Sequence, residues 1–531
     1  MADFTKRPLR EVREEQPMKE AETREKREKS RYELQTYLDV LKREFLLEDY
    51  DLTEEQRSRS VERLTFDSRE ATEGTLFVCK GAHFQTRYLK DAIAGGTFCY
   101  ISQRRYGADE LGEEAERCGA IIVKDVRLAM AALARQFYDE PWKDLTLVGI
   151  TGTKGKSTTT YFLRQILDLW LEKKGKPLSA VVSGIETYDG TERFESHLTT
   201  PEIMPLLSHF RNAVDNGIEY LTMEVSSQAL KYHRVRGILF DYGVFLNIGE
   251  DHISDSEHRD FDDYFESKLQ LFGQCETAVI NLNSDHIDEI LLCAEGCPRI
   301  ITFGTTPRAN VRADRIRRSD GATRFTVETA LWKREFAMAI PGLFNVENAL
   351  AAIAVAADLG VEPEIIAEAL EHASVSGRME VFRNEERDVT VIVDYAHNRL
   401  SFQRLYTSAA EEYSGKKIVG IFGCPGGKAQ ARRQELPEVA GKYASKIYVT
   451  EEDPGEEELE AINAEIAANV KKQGCAVEIV ADRGECIRRA IETAEPGTVI
   501  LLTGKGRETR QKRGTRYVET PSDVDYVTEN L

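Results

Sequence analysis

Leu145-Thr146-Leu147-Val148-Gly149-Ile150 is a mostly apolar run, and Gly152-Thr153-Lys154-Gly155-Lys156-Ser157 follows it after one residue. The run predicts a buried strand, and the apolar spacing from Thr158 to Leu171 predicts a helix, so the glycine-rich segment joins a strand to a helix start. Backbone N–H groups in such a loop can approach a phosphate closely, and the helix dipole favours its negative charge. The stretch therefore predicts a site for the phosphates of ATP or GTP.

Two side chains in this loop match particular parts of phosphate chemistry. Lys156 can reach the terminal phosphates, and the hydroxyl of Ser157 can ligate Mg²⁺. The loop departs from the general pattern, because Ile150 stands five residues before Gly155, where that pattern has glycine. A glycine-rich turn alone is also compatible with a tight strand-to-helix connection, but the Gly-Lys-Ser triplet in this context favours a shorter, specialised nucleotide loop.

The bulk composition is that of a large globular protein. A chain of 531 residues is too long for one compact core and predicts two to four domains, with three the first estimate. The 91 acidic and 71 basic residues give a net charge of -20, which argues against a nucleic-acid-binding surface. Nine widely spaced cysteines do not match a disulfide framework. Because no signal core and no run of about 18 apolar residues is present, we expect a cytoplasmic protein without membrane insertion. We also expect a monomer.

Short apolar runs and helical segments divide the chain into a tail and three α/β domains. Residues 1–30 are dense in Lys, Arg and Glu, which predicts a disordered tail. Residues 31–138 predict a small α/β domain, 139–377 a central domain with the phosphate loop and a mostly parallel sheet, and 378–531 a doubly wound, Rossmann-like domain. The runs expected to be strands of the two larger domains are Ala180–Val182, Tyr220–Met223, Gly243–Asn247, Ala278–Asn281, Val389–Asp394, Lys417–Gly423, Lys446–Val449, Ala476–Val480 and Thr498–Thr503.

Further motifs occur in the order found in the Mur ligases, the enzymes that add amino acids to the peptide of bacterial cell-wall precursors. These motifs are Asp67-Ser68-Arg69, Thr199-Thr200-Pro201-Glu202, Met223-Glu224-Val225-Ser226-Ser227, His233-Arg234-Val235, Asp251-His252, Phe344-Asn345-Val346-Glu347-Asn348-Ala349-Leu350, Gly377-Arg378-Met379-Glu380, Asp394-Tyr395-Ala396-His397 and Gly504-Lys505-Gly506. Residues 32–531 resemble the branch that adds the third amino acid, MurE. The segment from Glu257 to Lys268 resembles the MurE enzymes that add L-lysine.

The resemblance implies a reaction and a role for each domain. It implies that the first domain binds the uridine nucleotide, that the central domain binds ATP, and that the third closes over both with the incoming amino acid. The implied substrates are UDP-N-acetylmuramoyl-L-alanyl-D-glutamate and L-lysine or a related diamino acid, with ATP and two Mg²⁺ ions. The D-glutamate carboxylate would attack the γ-phosphate of ATP, and the amine would then displace phosphate from the acyl phosphate, as a step of peptidoglycan synthesis.

The resemblance also implies a nucleotide and metal site, as phosphoryl transfer between two anions requires. Without it, Glu224 would be interpreted as a surface glutamate and Lys268 as a solvated lysine. With it, Lys268 is expected to be carbamylated, which converts its amine into an anionic metal ligand. The expected catalytic residues are Lys156, His252 and Lys268, and the expected metal ligands are Ser157, Glu224, His252 and carbamylated Lys268. The residues expected to contact ATP are Gly152, Thr153, Lys154, Gly155, Lys156, Ser157, Thr158, Asn345, Asn348, Arg378 and Asp394.

A second implied set of residues binds the nucleotide-linked dipeptide. Arg234 also has a direct rationale, because a guanidinium binds phosphate or carboxylate in a forked geometry; a surface ion pair is the alternative. The residues expected at the uridine nucleotide are Phe66, Ser68, Ala82, His83 and Phe84. Those expected at the muramoyl dipeptide are Thr199, Thr200, Ser226 and Arg234.

The sequence determines the identity of the incoming amino acid less well than that of the other substrates. Diaminopimelate-adding MurE enzymes carry an Asp-Asn-Pro-Arg motif whose arginine contacts the second carboxylate, whereas the matching stretch here is Glu452-Asp453-Pro454-Gly455. The acidic surroundings, with Glu451, Glu456 and Glu457, favour a side-chain ammonium and hence lysine, although a solvated acidic loop, ornithine and diaminopimelate stay open. The residues expected to bind the amino acid are Lys428, Glu452, Asp453, Gly455, Gly504 and Glu508.

Three other functions compete with this interpretation. A folylpolyglutamate or poly-γ-glutamate synthetase would share the ATP loop but not the uridine-binding first domain, and Asp67-Ser68-Arg69 argues against both. A non-catalytic nucleotide-binding regulator would lose the metal ligands, which are present. A Mur-like ligase of another pathway stays open, because Ser157 and Gly455 differ from the commonest residues of the family.

Overall fold

The computed structural model describes residues 31–531 except 82–83, 113–117, 197, 251–252, 254–256, 320–321, 341 and 343. The predicted tail, residues 1–30, lies outside the described residues. The described chain forms three large sheets flanked by helices, and each sheet falls within one of the three predicted ranges. The fold is therefore of the predicted α/β class, whereas the domain boundaries stay predictions. In the described residues, no helix is both long and apolar enough to cross a membrane.

The first sheet has five strands in the order β1-β5-β4-β3-β2, with β1 antiparallel and the others parallel. Its strands are β1 (Leu47–Asp51), β2 (Arg63–Thr65), β3 (Thr75–Val78), β4 (Thr97–Ser102) and β5 (Gly119–Val123). The helices are α1 (Leu34–Arg43), α2 (Glu54–Ser58), α3 (Thr86–Ala94), α4 (Ala108–Leu111) and α5 (Val126–Phe137). The carboxylate of Asp125 accepts the N–H groups of Arg127 and Leu128 and so caps α5.

The second sheet has eleven strands in the order β16-β15-β14-β13-β12-β11-β6-β10-β7-β8-β9. They are β6 (Thr146–Thr151), β7 (Ala180–Val182), β8 (Glu186–Tyr188), β9 (Arg193–Glu195), β10 (Tyr220–Glu224), β11 (Phe240–Phe245), β12 (Cys275–Asn281), β13 (Arg299–Gly304), β14 (Val311–Ser319), β15 (Ala322–Glu328) and β16 (Lys333–Met338). The pairs from β14 to β7 are parallel and the outer pairs are antiparallel.

The helices of this region place the phosphate loop at the centre of the sheet. They are α6 (Lys156–Lys173), α7 (Ile203–Asp215), α8 (Ser227–Lys231), α9 (Phe261–Leu269), α10 (Ile287–Ala294), α11 (Phe344–Asp358) and α12 (Pro363–Glu371). Strand β6 is buried from Leu147 to Thr151 and lies between β10 and β11. Because these neighbours are parallel, their carboxyl ends meet beside the loop that leads into α6.

The third sheet has six strands in the order β17-β18-β22-β19-β20-β21, parallel except for β17. Its strands are β17 (Glu380–Asn384), β18 (Val389–Asp394), β19 (Lys417–Phe422), β20 (Lys446–Val449), β21 (Ala476–Ile479) and β22 (Thr498–Thr503), followed by the hairpin β23 (Arg510–Arg513) and β24 (Arg516–Glu519). The helices are α13 (Arg399–Glu412), α14 (Arg432–Ala440), α15 (Leu459–Lys472), α16 (Arg483–Glu492) and α17 (Asp523–Asn530).

Candidate functional site

A cleft of about 550 Å³ lies between the phosphate loop and the start of the third domain. The residues predicted to bind ATP or metal that line it are Thr153, Lys154, Gly155, Lys156, Ser157, Thr158, Glu224, Asn345, Asn348, Arg378 and Asp394. Thr199 and Glu508, which were predicted to bind the other two substrates, line the same cleft. The fold therefore brings members of all three predicted subsites to one cavity.

The phosphate loop is held closely against the start of α11. Gly155 has a positive φ of +91°, and a Cβ there would lie 2.2 Å from the side-chain oxygen of Asn348. Asn348 donates a hydrogen bond from Nδ2 to Oδ1 of Asn345 at 2.9 Å. A left-handed backbone and this close approach both require glycine at position 155.

Two lysine amines converge on one carbonyl of the loop. Lys156 Nζ donates to the Gly152 oxygen at 2.9 Å, and Lys268 Nζ donates to the same oxygen at 3.0 Å. Lys268 is 1% exposed, and its amine lies 4.7 Å from the ring centre of Tyr264. Tyr264 in turn donates to Thr153 Oγ1 at 3.0 Å. Lys268 thus supports the loop, and it is not among the described residues that line the cleft.

Glu224 brings a buried carboxylate to the cleft at the end of β10. It is 2% exposed, its Oε1 accepts the N–H of Gly184 at 2.9 Å, and its backbone oxygen accepts the hydroxyl of Thr200 at 2.9 Å. Ser157, at the start of α6, lines the same cleft. Hydroxyl and carboxylate oxygens are the donors that Mg²⁺ prefers, so this pair fits the ion. His252, the third predicted ligand, lies outside the described residues.

A separate group of possible metal ligands joins the turn between β8 and β9 to α7. Asp189, Glu192 and His209 have ligand atoms within 4.8 Å of one another. The Asp189 carboxylate already accepts hydrogen bonds from the backbone of Thr191 and Glu192 and from the side chain of Asn212, and it contacts His209 Nδ1. These contacts explain the group as an anchor of the turn to α7.

The third domain contributes a carboxylate and a guanidinium, both half-buried, to the cleft. Asp394, at the end of β18, accepts the N–H groups of Met379 at 2.9 Å and Ala396 at 2.8 Å. Burial raises the pKa of Asp394, and the Arg378 cation opposes that rise. The Arg378 guanidinium lies 4.7 Å from the ring centre of Tyr395. Asp394, Tyr395 and Arg378 line the same cleft as the phosphate loop.

Asp453 and Glu508, two of the residues predicted to bind the amino acid, contact Lys505. This lysine is 3% exposed, and its Nζ donates to Glu508 at 2.5 Å and to Asp453 at 3.1 Å. Burial raises the pKa of Glu452 to about 7, against the opposing effect of Arg483. A Cβ at Gly504, where φ is +106°, would lie 2.2 Å from Glu452 Oε2. The absence of a side chain at Gly504 therefore makes room for the Glu452 carboxyl.

Gly455 lies against the hairpin β23–β24. Its N–H donates to the Lys512 oxygen at 2.9 Å, and its own oxygen accepts from Gly514 at 2.6 Å. Arg513 pairs with Gly455 in a β-bridge, yet its guanidinium is bound to both carboxylate oxygens of Glu451, at 2.6 and 3.1 Å. The arginine that the fold brings beside Gly455 is thus already neutralised.

A smaller cavity of about 170 Å³ adjoins this region and shares Lys505 and Glu508 with the cleft. Its walls carry more carboxylates than cations. The acidic residues are Glu451, Asp482, Glu508, Glu519 and Asp523, and the basic residues are Arg483, Lys505 and Arg513.

The remaining predicted residues lie outside the cleft lining. Thr200 and Ser226 are joined by the Ser226 N–H, which donates to Thr200 Oγ1 at 3.1 Å, and Arg234 donates to the Thr200 oxygen at 3.1 Å. Lys428 is exposed. Phe66, Ser68 and Phe84 belong to the first domain; Ala82 and His83 lie outside the described residues.

Several cleft residues were not assigned by the sequence. Tyr395 and Lys505 lie inside the motifs Asp394-Tyr395-Ala396-His397 and Gly504-Lys505-Gly506, so the signal was present but no role was given to them. His397, in the same motif as Tyr395, also lines the cleft, and its Nδ1 lies 2.8 Å from the Tyr395 oxygen. Arg404, on α13, also lines the cleft, and no local motif marks it.

Comparison with known families gives matches to both larger domains. The family described as "Mur ligase middle domain" matches residues 150–356, and the family described as "Mur ligase, glutamate ligase domain" matches residues 377–506. The solved structure of a UDP-N-acetylmuramoyl-L-alanyl-D-glutamate--2,6-diaminopimelate ligase superposes with a TM-score of 0.62 at 22% identity, covering 94% of this chain and 99% of that one. At this identity the likeness concerns the fold alone.

Three sequence relatives span nearly the whole chain. The UDP-N-acetylmuramyl-tripeptide synthetase of Lactobacillus acidophilus is 35% identical, over 93% of this chain and 96% of that protein. The UDP-N-acetylmuramoyl-L-alanyl-D-glutamate--L-lysine ligase of Enterococcus faecalis is 37% identical, over 89% and 94%. The corresponding 2,6-diaminopimelate ligase of Caldanaerobacter subterraneus is 35% identical, over 89% and 94%.

Proposed function

The chain belongs to the Mur ligase family, as its sequence motifs predicted, and from that premise we propose that it is an ATP-dependent ligase of peptidoglycan synthesis that adds L-lysine to UDP-N-acetylmuramoyl-L-alanyl-D-glutamate. One observation carries the proposal. The phosphate loop, the buried Glu224 and the Lys505–Glu508 pair line one cleft, so a nucleotide phosphate, a metal ligand and an amine-binding acid lie within reach of one another. A non-catalytic nucleotide-binding protein has no need of this arrangement.

The cleft residues support a division of roles in acyl-phosphate formation. The amine of Lys156 and the loop N–H groups would bind the ATP phosphates, with Arg378 adding positive charge from the third domain. Ser157 and Glu224 would hold Mg²⁺, which supplies charge neutralisation between the two anionic reactants. Lys268, as a carbamate, is proposed as the ligand of a second ion. His252 is proposed to share that task.

The reacting amine would be oriented from the other side of the cleft. The Glu508 carboxylate contacts Lys505 and the hydroxyl of Tyr395, and all three residues line the cleft. A carboxylate held in this way can accept a hydrogen bond from the α-amine, which must be neutral to attack the acyl phosphate. Transfer of the glutamyl group to the amine would release phosphate.

Lysine is favoured over diaminopimelate by the surroundings of Gly455. The relatives include both specificities, so the choice depends on the site itself. The nearby Arg513 is bound to Glu451, and the adjoining cavity has five carboxylates against three cations. An excess of negative charge stabilises a side-chain ammonium and repels a second carboxylate.

Phosphate release with UDP-N-acetylmuramoyl-L-alanyl-D-glutamate tests class and specificity together. The protein is assayed with ATP, Mg²⁺ and, separately, L-lysine, L-ornithine and meso-diaminopimelate, with Lys156→Met as the inactive control. We expect release with lysine. Release with diaminopimelate alone would overturn the argument from Gly455, and no release with any of the three would refute the cell-wall function.

A further inference from the structure

Three basic side chains meet one carboxylate where the first domain contacts the central one. Lys80 Nζ lies 2.8 Å from Glu202 Oε1, Arg234 Nε lies 3.0 Å from the same oxygen, and Arg127 Nη1 lies 3.9 Å from Oε2. Lys80 and Arg127 come from the first domain, and Glu202 and Arg234 come from the central domain. We call these four residues the Lys80 cluster.

The Lys80 cluster carries more positive charge than its carboxylate neutralises. Three cations and one anion leave an excess of two positive charges, in side chains that are only 13 to 31% exposed. Asp125, two residues before Arg127, is engaged in capping α5. Burial lowers the pKa of Lys80, and the cations of Arg127 and Arg234 lower it further, while Glu202 opposes them. The cluster would gain from a further anion.

Two donor atoms of the Lys80 cluster also lack a hydrogen-bond acceptor. Among the described residues, Arg127 Nη1 and Arg234 Nε are buried and make no hydrogen bond of acceptable geometry, although both lie near Glu202. Buried guanidinium donors are usually paired, because leaving them unpaired is unfavourable by the loss of their hydration. Anionic oxygens from a ligand would satisfy both atoms.

Aromatic rings and the protein backbone fix the cations in position. Lys80 Nζ lies 4.5 Å from the ring centre of Phe66, and the Arg127 guanidinium lies 4.8 Å from that of Tyr232. Arg234 donates to the backbone oxygen of Thr200, whose neighbour Thr199 lines the cleft. The cluster therefore lies between the first domain and the reaction cleft, along the path expected for a long substrate.

We propose that Lys80, Arg127 and Arg234 bind an anionic group of the nucleotide-linked substrate, and that Glu202 holds the three cations together in the free protein. The inference rests on the proposed function and extends it to Lys80, Arg127 and Glu202. The anionic group is either the diphosphate or a carboxylate of the dipeptide; both offer oxygens to forked guanidinium donors.

Calorimetric titration with two ligands tests the proposal. Of the two kinds of anionic group, UDP carries only the diphosphate, whereas UDP-N-acetylmuramoyl-L-alanyl-D-glutamate carries the diphosphate and the carboxylates of the dipeptide. Lys80→Gln and Arg127→Gln should each raise the Kd of the dipeptide ligand roughly 10- to 100-fold, as expected for loss of a charged hydrogen bond. Lys90→Gln, on the exposed face of α3, is the matched control and should bind as the wild type does. If the variants lose affinity for UDP to the same extent, the cluster binds the diphosphate. If their affinity for UDP is unchanged, the cluster binds a carboxylate of the dipeptide.

A purely structural contact between domains gives a different result. Variants that melt at a lower temperature but bind both ligands within a factor of about two of the wild type would overturn the proposal. Wild-type protein that binds neither ligand would refute the anion site and the proposed function together. Wild-type protein that binds both while releasing phosphate with no amino acid would refute the function alone and leave the site supported.

Discussion

Replacement of Lys268 separates its support of the phosphate loop from its proposed role as a carbamate. Lys268→Ala removes the hydrogen bond to Gly152 and the contact with the Tyr264 ring, and leaves a cavity at a position that is 1% exposed. A charged hydrogen bond contributes about 1.5–3 kcal/mol and a desolvated cation–π contact up to about 2 kcal/mol. Both contacts belong to the unmodified amine, so we expect the free energy of unfolding of Lys268→Ala to be about 3 kcal/mol or more below that of wild-type protein without the carbamate, measured by urea denaturation.

Lys268→Met is the matched control, because methionine fills most of the same volume without an amine. If the carbamate is a metal ligand, both variants should lose turnover by at least roughly 100-fold in the phosphate-release assay. Short carboxylic acids such as acetate should restore part of the activity of Lys268→Ala, whose cavity can admit them, but not of Lys268→Met.

Two results would refute this reasoning. Near-normal turnover of Lys268→Met would show that the amine and its carbamate are dispensable. If both variants show a raised KM for ATP but an unchanged kcat, and acids do not rescue them, Lys268 only supports the loop.

Three further predictions concern the loop and the amino-acid site. Gly155→Ala forces a Cβ to 2.2 Å from Asn348 Oδ1 at φ +91°, so the KM for ATP should rise at least about tenfold, since a left-handed alanine alone is unfavourable by roughly 1–2 kcal/mol; an unchanged KM would contradict the geometry. Burial raises the pKa of Glu452 from 4.5 to about 7, so the stability due to its neutral form is full below pH 4.5 and is lost as pH rises through 7. Glu452→Gln should then be more stable than the wild type at pH 8 by up to about 3 kcal/mol but not at pH 4.5. If urea denaturation gives the same difference in free energy of unfolding between the two proteins at every pH from 4.5 to 8, the raised pKa is wrong. Gly455→Arg should lower kcat/KM for lysine at least about tenfold through charge repulsion, whereas Gly455→Ala carries the same backbone strain without the charge; equal losses in the two variants would assign the effect to strain.

Local patterns in the sequence were sufficient for the fold class and for the phosphate loop. All ten apolar runs predicted as strands overlap strands of the structure; most of these strands are buried and parallel, and such a strand is apolar on both faces and stands out from its surroundings. The antiparallel strands β14 to β16 were not predicted. Their buried and exposed residues alternate along much of their length, and such half-polar segments lack a continuous apolar run.

The contacts that give the site its chemistry were decided by tertiary structure. The sequence identified Lys156, Glu224 and Lys268 through motifs, but only packing brings the amine of Lys268 to the Gly152 carbonyl. Likewise, Arg513 is brought beside Gly455 and neutralised by Glu451 only because a hairpin folds back over that loop. The spacing of apolar residues and the short motifs involve residues that are close in the sequence, so both can be recognised from the sequence alone. The pairing of charges from distant elements, such as Lys80 with Glu202, depends on how whole domains pack, and a single sequence carries no local signal of it.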